Sequence, residues 1–350
     1  DGGPEDDADP QRLIELGGQA LRRIVESGAF VDVDREVFFL YRLRLEGHTQ
    51  VGIVGLVEVD DYLGGHVKRH EQVDASRADH LSRHYEQLGA QSSPIALGYR
   101  HDEVVRLTLD AVLDHQEPVV EFTSGDGLEQ AVWIVEDPTQ IETLVERFSR
   151  HDLYIMDGHH RAAAAGALRS RIGSTSSERM LSVLFSDDRI NIGPFHRHVT
   201  VPVHRDLGEV FAEVQAELGL IPDPSMATRL PDAAGGVGVW MNGQWWKGNL
   251  PVPEADNPLS AIDPVRLQNR VVGPILGIDP AFPAGRLAYF LDDADRAAIA
   301  AACDEHQILF VLRHVTPEEV FDVADAGLDM PPKSTYVTPK PRSGVFLRQL

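Results

Sequence analysis

Apolar residues recur at helical spacing along residues 13–27. Leu13, Ile14, Leu16, Leu21, Ile24 and Val25 fall on one stripe, which predicts an amphipathic helix. Residues 29–45 change to alternation, through Val31, Val33, Val37, Phe39, Tyr41 and Leu43, and predict a strand pair around Asp34-Arg35. The strand signal repeats over 48–59 after a turn at Glu46-Gly47, so this region reads as hairpins. Helices are predicted over 75–88, 104–113 and 138–149, the last with Asp137 as N-cap. Short strands are predicted at 93–99, 117–123, 129–135 and 180–185, with a turn or short helix at 60–65, a charged loop at 67–73 and a loop at 170–178. Downstream, 190–201 reads as one strand, 207–218 as a helix, and the Gly-, Pro- and Asp-rich stretch 222–260 as a hairpin built on apolar patches at 237–241 and 244–246. Residues 264–276, 292–305 and 317–326 predict helices, the last capped by Thr316 with Pro317 at its first position. Strands are predicted at 286–290 and 307–312, and a stiff loop at 330–340 leads to a terminal strand at 344–350. The acidic start, 1–9, is expected to fray. Hairpins interleaved with helices, without an internal repeat or low-complexity linker, predict an α+β (mixed α/β) fold and not a regular doubly wound sheet.

The most informative junction is at 153–168. An apolar strand (153–156) runs into Asp157-Gly158, then His159, His160 and Arg161, then an alanine-rich helix. Gly158 permits a tight turn. The first N–H groups of a helix have no partner within it, and the helix dipole there favours anions. A strand–Gly–helix start carrying two histidines and an arginine is therefore an anion site in the making, with phosphate the leading ligand. Asp157 beside it could hold a metal ion or accept a proton from a hydroxyl. The same spacing also fits an Asp that caps the helix, with its basic neighbours solvated.

Composition narrows the partners. With 55 acidic against 32 basic residues the formal net charge is -23, which opposes binding to a nucleic-acid duplex. No apolar run approaches the ~18 residues of a membrane span. The one cysteine, Cys303, excludes an intrachain disulfide and fits a cytoplasmic location. Asp1 opens the numbering, which leads us to expect a true N-terminus upstream, and nothing here resembles a secretory signal.

Three clusters combine basic with small polar residues: 157–161; Lys68-Arg69-His70-Glu71 with Arg77 on the following helix; and Lys333-Ser334-Thr335-Tyr336 with Lys340 and Arg342 behind it. Pro331-Pro332 stiffens the third. Each also has a bland reading, as an exposed turn with weak ion pairs or a solvated loop. His196 and His198 share one face of a half-exposed strand opposite Arg197, which does not make a metal centre. Adjacent His159 and His160 diverge on a helix start and cannot chelate zinc as an i, i+4 pair would, whereas Mg²⁺ on Asp157 and substrate phosphates is compatible. Neither a P-loop nor a Gly-x-Gly-x-x-Gly motif occurs.

These residues resemble a known family. Tyr154-Ile-Met-Asp-Gly-His-His-Arg161 is similar to the signature of the domain of unknown function 1015 family. The resemblance covers nearly the whole chain, through Val54-Gly-Leu-Val-Glu-Val-Asp-Asp-Tyr62, His70-Glu71 with Arg77, Ser93-Pro-Ile-Ala-Leu97, Phe195-His-Arg197 and Met330-Pro-Pro-Lys-Ser-Thr-Tyr336. It departs at Met156, where the family has Ala, and at Ala162, where it has an aromatic residue. The family's N-terminal Pro-Tyr-Asp-type motif is absent from the numbered chain. The Asp-Gly-His-His-Arg motif in turn resembles the phosphate-binding turn of the ParB/sulfiredoxin-like superfamily, whose members bind ATP, CTP or ADP and one branch of which phosphorylates free L-serine.

The resemblance implies a ParB/sulfiredoxin-like core elaborated with additional hairpins and helices. It implies a core over 1–203 and an α/β part over 204–350 that returns the Lys-Ser-Thr loop to the site, or else one domain. Catalytic roles are implied for Asp157, His159 and Glu71, with Asp157 also the metal ligand. Phosphate or nucleotide binding is implied for Gly158, His160, Arg161, Lys68, His70, Arg77, Arg197, Lys333, Ser334 and Thr335. His159 stands where sulfiredoxin has its reactive cysteine, so reduction of a sulfinic acid is not implied. The expected activity is a small-molecule phosphotransferase, a kinase resembling free L-serine kinase, using Mg²⁺ with ATP, ADP or pyrophosphate. The alternative is a CTP- or ATP-binding regulatory protein without catalysis. A small-molecule substrate and a phosphate-bearing ligand are the expected partners, with no nucleic acid and no membrane, and the oligomeric state is left open.

Overall fold

The computed structural model describes residues 10–253, 257–279, 285–291 and 295–350. The expected frayed start at 1–9 and the first residues of the helix expected over 292–305 lie outside them. The fold is mixed α+β, in two compact units: Asp1–Ile190 with Pro339–Leu350, and Asn191–Thr338. Among the described residues no helix is long and apolar enough to cross a membrane.

The first unit opens with helix α1 (Pro10–Glu26) and a hairpin of strands β1 (Phe38–Leu45) and β2 (His48–Glu58). Glu46 and Gly47 both have positive φ, 51° and 83°, the two-residue turn whose twist suits a hairpin. The strand expected before Phe38 does not form: Val31 is 88% exposed, so the alternation there has no core to face. Next come α2 (Val59–Gly64), β3 (Val67–Lys68), α3 (Ala75–Leu88), β4 (Ala90–Gln91), β5 (Ile95–Tyr99), α4 (Glu103–His115), β6 (Val120–Thr123), β7 (Glu129–Val135), α5 (Pro138–Phe148), β8 (Leu153–Asp157), α6 (His159–Ile172) and β9 (Arg179–Ser186).

Eight strands form one mixed sheet in the order β3-β8-β5-β9-β2-β1-β7-β6, with β3/β8 and β5/β9 parallel. Leu40, Ile53, Leu97, Ile155 and Leu184 contribute to its buried core. Gly52 lets strands cross closely, since a Cβ there would meet Phe185 and Val183 at 2.6 Å. Alanines explain the position of α6. Ala162, Ala164 and Ala165 are buried, and a Cβ on Gly166 would lie 3.3 Å from Tyr62 and Leu63 of α2. Small side chains let the helix lie close to its neighbours, which fixes the strand–helix junction.

The tail returns to this unit. Pro339 O accepts from Gln50 Nε2 at 2.5 Å, Ser343 Oγ lies 2.5 Å from Ser93 Oγ, and Phe346 packs on the rings of Phe39 and Tyr41. The terminal strand is only Arg348–Gln349, paired with β4.

The second unit contains β10 (Ile192–Gly193), β11 (Phe195–Thr200), α7 (Leu207–Leu218), β12 (Ile221–Pro222), β13 (Gly236–Met241), β14 (Gln244–Asn249), α8 (Pro258–Ala261), α9 (Asp263–Leu267), β15 (Leu287–Leu291), α10 (Arg296–Ala302), β16 (Gln307–Leu312), α11 (Pro317–Asp325) and β17 (Tyr336–Val337). Six strands form an antiparallel sheet in the order β12-β14-β13-β16-β11-β15. Successive residues of β16 serve opposite faces: Ile308, Phe310 and Leu312 join one apolar cluster, Leu309 and Val311 the other. The strand expected over 190–201 is two, because Pro194 separates β10 from β11 and has no N–H for a ladder. The hairpin at 237–246 turns on Asn242 and Gly243, φ 53° and 77°. The helix expected over 264–276 shortens to α9, followed by a π-helical turn, Gln268–Val272.

Candidate functional site

Strand β8 delivers Asp157 to the edge of the first unit's core, opposite Ala96 of β5. The chain then turns through Gly158, at φ 103°, into α6. Any side chain here would be strained, and a Cβ would stand 2.7 Å from the Arg161 guanidinium. Gly158 occupies the N-cap position and provides no side-chain cap. The helix starts of α3, α4 and α5 are different: Asp74, Asp102 and Asp137 each accept from two backbone N–H groups. The capping role that the spacing also allowed for Asp157 is therefore absent. The first N–H donating back into α6 is that of Ala162, to Gly158 O at 3.0 Å.

Asp157 is held by two cations instead. Arg161 Nη2 donates to Oδ2, and Lys340 Nζ lies 2.6 Å from Oδ1. Arg161 also donates from Nη1 to Pro94 O at 2.7 Å, so its guanidinium is fixed between the turn and the approach to β5. Lys340 is the residue that local sequence reasoning left out of the site. Its signal was its place behind Lys333-Ser334-Thr335, but the contact spans 183 positions of chain. A cation at Asp157 would have to displace Arg161 or Lys340. The turn as built thus suits an incoming anion that shares these cations, and does not suit a protein-held Mg²⁺.

Below the turn lie two buried imidazoles. His159 is 5% exposed and His70 is fully buried; their rings meet edge to face, centroids 4.6 Å apart. Burial, with lesser contributions from His160, Arg69 and Arg161, pushes His159 down to about 3. Burial and the neighbouring His159 hold His70 well below the ordinary histidine value. Glu71 Oε2 stands 3.6 Å from His159 Nδ1, too far for a hydrogen bond and insufficient to charge the ring. Three ring nitrogens, both of His70 and Nε2 of His159, are buried without a hydrogen-bond partner among the described residues. A buried polar atom left unsatisfied costs roughly 1–3 kcal/mol. Neutral imidazoles each carry one N–H, so this pair offers donors beside the uncapped helix start.

His160, on the other side, accepts from Asp74 N at 3.4 Å through Nε2 and is also held neutral, chiefly by burial and then by Arg77. Arg77 is exposed on the first turn of α3. Lys68 is engaged elsewhere: its Nζ lies 2.6 Å from Asp152 Oδ2 and over the Tyr154 ring, and its backbone pairs with Tyr154. That is three residues, about 10 Å of strand, before Asp157. The structure therefore brings Asp157, Gly158, His159, His160, Arg161, His70, Glu71 and Arg77 into one neighbourhood and gives Lys68 an acidic partner.

Arg197, Lys333, Ser334 and Thr335 belong to the second unit. Arg197 is buried on β11 and donates to Phe195 O and, at 3.3 Å, to Lys333 O. Ser334 is buried too, its hydroxyl donating to Pro331 O at 2.7 Å. The strand expected to be half-exposed is more closed than its pattern suggested. His196 is completely buried, accepts from Leu312 N at 3.3 Å and packs against Phe290.

None of the curated proteins matches the chain. Among solved structures, a free serine kinase variant in complex with ADP is similar over 81% of this chain and 87% of its own, at 16% identity and a TM-score of 0.40. SbnI with a C-terminal truncation from Staphylococcus aureus is similar over 83% of this chain and 85% of its own, at 12% identity and a TM-score of 0.41. Likeness of this degree leaves function to be argued from the chain's own residues. At the level of sequence the assignment is direct: a family model matches residues 1–267, and the chain belongs to the family described as "Protein of unknown function (DUF1015)".

Proposed function

We propose that this protein is a small-molecule phosphotransferase resembling free L-serine kinase, and that the turn at 157–161 binds the phosphate of a nucleotide or pyrophosphate donor. One observation carries the reading: an uncapped helix start, with Arg161 and Lys340 at hand, adjoins two buried histidines, three of whose four ring nitrogens have no hydrogen-bond partner among the described residues. The likeness of 157–161 to a phosphate-binding turn supports it as well. An anion entering there accepts hydrogen bonds from backbone N–H groups and neutral imidazole N–H groups, and gains charge from Arg161 and Lys340.

Transfer then needs little covalent chemistry from the protein. The acceptor hydroxyl gives its proton to a carboxylate, its oxygen forms a bond to the terminal phosphorus, and the shortened donor leaves with the electron pair of the broken P–O bond. Asp157 is the carboxylate placed for that proton once Lys340 turns from Oδ1 to the phosphate. Arg161 and Lys340 stabilise the charge that develops on the phosphoryl oxygens. Mg²⁺, arriving with the donor, would neutralise phosphate oxygens, and no residue of this turn is assigned to it.

A second reading rests on the same ion pairs. Because Asp157 is neutralised by two cations, the site could bind a nucleotide and regulate without turnover. Incubating the protein with L-serine, Mg²⁺ and ATP, ADP or pyrophosphate in turn separates the two. Phosphoserine formation with one donor supports the kinase; nucleotide binding without product supports the regulatory reading. Arg161→Ala should weaken binding of the phosphate ligand at least about tenfold under either reading. Unchanged binding in that variant would remove the ligand from this turn.

A further inference from the structure

Helix α3 carries a pair of histidines that neither its core packing nor the turn at 157–161 uses. Its buried residues are Ala78, Ser82 and Tyr85, and Tyr85 packs with Ala164 and Leu168 of α6. His80 and His84 stand on a different row of the helix, four residues apart, and the same row continues to Leu88. Leu88 is the α1 contact: Cβ atoms on Gly17 and Gly18 would lie 3.8 Å and 3.7 Å from its side chain. His80 is exposed and His84 half-buried. No other two of the chain's 15 histidines stand four apart on one described helix.

Several histidines of the first unit have an acid within reach: His66 has Asp152 at 3.5 Å, His101 has Asp188 at 3.4 Å, and His151 has Asp102 at 2.8 Å. Among the described residues His80 and His84 have neither a hydrogen bond nor an ion pair. The acids beside them on the helix are taken: Asp79 by Arg83 at 3.0 Å and Arg171 at 3.4 Å, Glu86 by Arg171 at 2.8 Å. What His84 does feel is His80. Burial first, and then the neighbouring His80, hold His84 below the ordinary histidine value. The two rings are thus within electrostatic reach of each other, and His84 is neutral at pH 7, the form that binds metals.

Side chains four apart on a helix lie one above the other, with Cβ atoms about 5–6 Å apart. From that spacing two imidazoles converge on one ion, as the paired histidines of helical zinc sites do, with bonds of about 2.0–2.1 Å. We propose that His80 and His84 chelate one divalent transition-metal ion of the Zn²⁺ and Cu²⁺ class, with water in its other positions. Among the described residues no group of three or more His, Cys, Asp or Glu could hold a metal, so the protein supplies two ligands and leaves the rest open. Imidazole nitrogens favour Zn²⁺ and Cu²⁺ over Mg²⁺, and Cu²⁺ stands above Zn²⁺ in the general order of affinities. The ion ties two successive turns of the helix whose Asp74 N meets the His160 ring at 3.4 Å. The site is separate from the turn at 157–161 and does not depend on phosphotransfer.

Zn²⁺ and Cu²⁺ are titrated by calorimetry into the full chain and into His80→Gln, a change at an exposed position that leaves the packing of α3 intact. The other histidines and Cys303 give every variant the same background, so the difference between variants is what is read. Losing even an outer partner of a metal ligand costs about 10–100-fold in affinity, so one site should weaken at least about tenfold in His80→Gln. His84→Gln should behave alike. The electron paramagnetic resonance spectrum of Cu²⁺ should show coupling to two nitrogens in the unaltered chain and to fewer in His80→Gln. A paired change, His80→Ala with Arg83→His, keeps two histidines on α3 but makes them neighbours, and should bind no better than His80→Gln. Affinities in His80→Gln and His84→Gln equal to those of the unaltered chain would overturn the proposal. So would full affinity in the paired variant, since spacing would then be irrelevant. Arg161→Ala should keep the site; loss of the ion there would overturn the proposal by placing the metal at the turn.

Discussion

Asp157 and Asp263 are each gripped by two cations, and their surroundings differ. Asp263 of the second unit is 1% exposed and meets Gly235 N at 2.8 Å, Arg266 at 3.0 Å and Arg313 at 3.0 Å. Burial raises its proton affinity, while Arg313, the Gly235 N–H and Arg266 oppose the rise. Asp157 of the first unit has about a fifth of its side chain exposed, and one of its cations, Lys340, is nearly half exposed. The Asp263 cluster is closed to solvent. The Asp157 cluster faces solvent, where an incoming anion can reach its cations. Ion pairing alone therefore does not mark a functional site; accessibility to a competing anion does.

The sharpest way to break the comparison is to remove each aspartate. Asp263→Ala leaves the buried Arg266 without its carboxylate, while Arg313 keeps Glu319, and should cost about 3 kcal/mol in urea unfolding. The phosphate binding proposed for the turn should survive under conditions where that variant is folded. A loss below about 1 kcal/mol would mean that the Asp263 cluster is as exchangeable as that of Asp157.

Acid should distinguish the surroundings of the two aspartates next. His159 and His70 have folded-state values depressed below the unfolded value of about 6.5, so the unfolded chain binds more protons between the two. Their contribution to stability is thus complete above about pH 6.5 and is lost as pH falls toward the folded value, about 3 for His159. The slope should approach about 1.4 kcal/mol per pH unit for each histidine. His70→Leu should flatten the pH dependence of the unfolding midpoint between pH 6 and 4. If the profile keeps its full slope, the buried pair is not its source.

Smaller effects concern the open cluster. Arg161→Ala should cost about 1–2 kcal/mol in stability, since Asp157 keeps Lys340, alongside the loss of ligand affinity. Lys340→Met should cost no more than about 1 kcal/mol, as expected for a largely exposed pair, and weaken phosphate binding severalfold. A stability cost for Lys340→Met as large as that for Asp263→Ala would erase the distinction between the clusters.

Local chemistry made the strand–glycine–helix junction legible. Leu153 to Met156 are uniformly buried, Gly158 takes the positive φ its place demanded, and the alanines pack where larger residues would clash. The hairpin on the apolar patches 237–241 and 244–246 and the Thr316 cap with Pro317 were readable for the same reason, each being settled within a few residues. What stayed hidden was nonlocal. Nothing near Asp157 announces Lys340, and nothing near Lys68 announces that Asp152 will claim it. His70 sits among Lys68, Arg69 and Glu71, so its surroundings in sequence look solvated. It is buried because β3 pairs with β8 and the chain leaves that pairing directly beneath α6. The break at Pro194 was visible as a missing N–H but was masked by the continuous apolar pattern on either side.

The return of the tail has a consequence for how the protein is made. Thr338 N donates to Asn191 O at 3.1 Å, so the second unit begins and ends at one place, as an insert does. Lys340 leaves the ribosome 183 residues after Asp157, roughly 10–40 s later at ordinary synthesis rates. Throughout that interval the nascent first unit has Arg161 for Asp157 but no Lys340, and Gln50, Tyr41 and Phe39 await the segment that covers them. The turn is thus completed last, and a ribosome stalled within the insert would display a nearly finished sheet with Asp157 still one cation short.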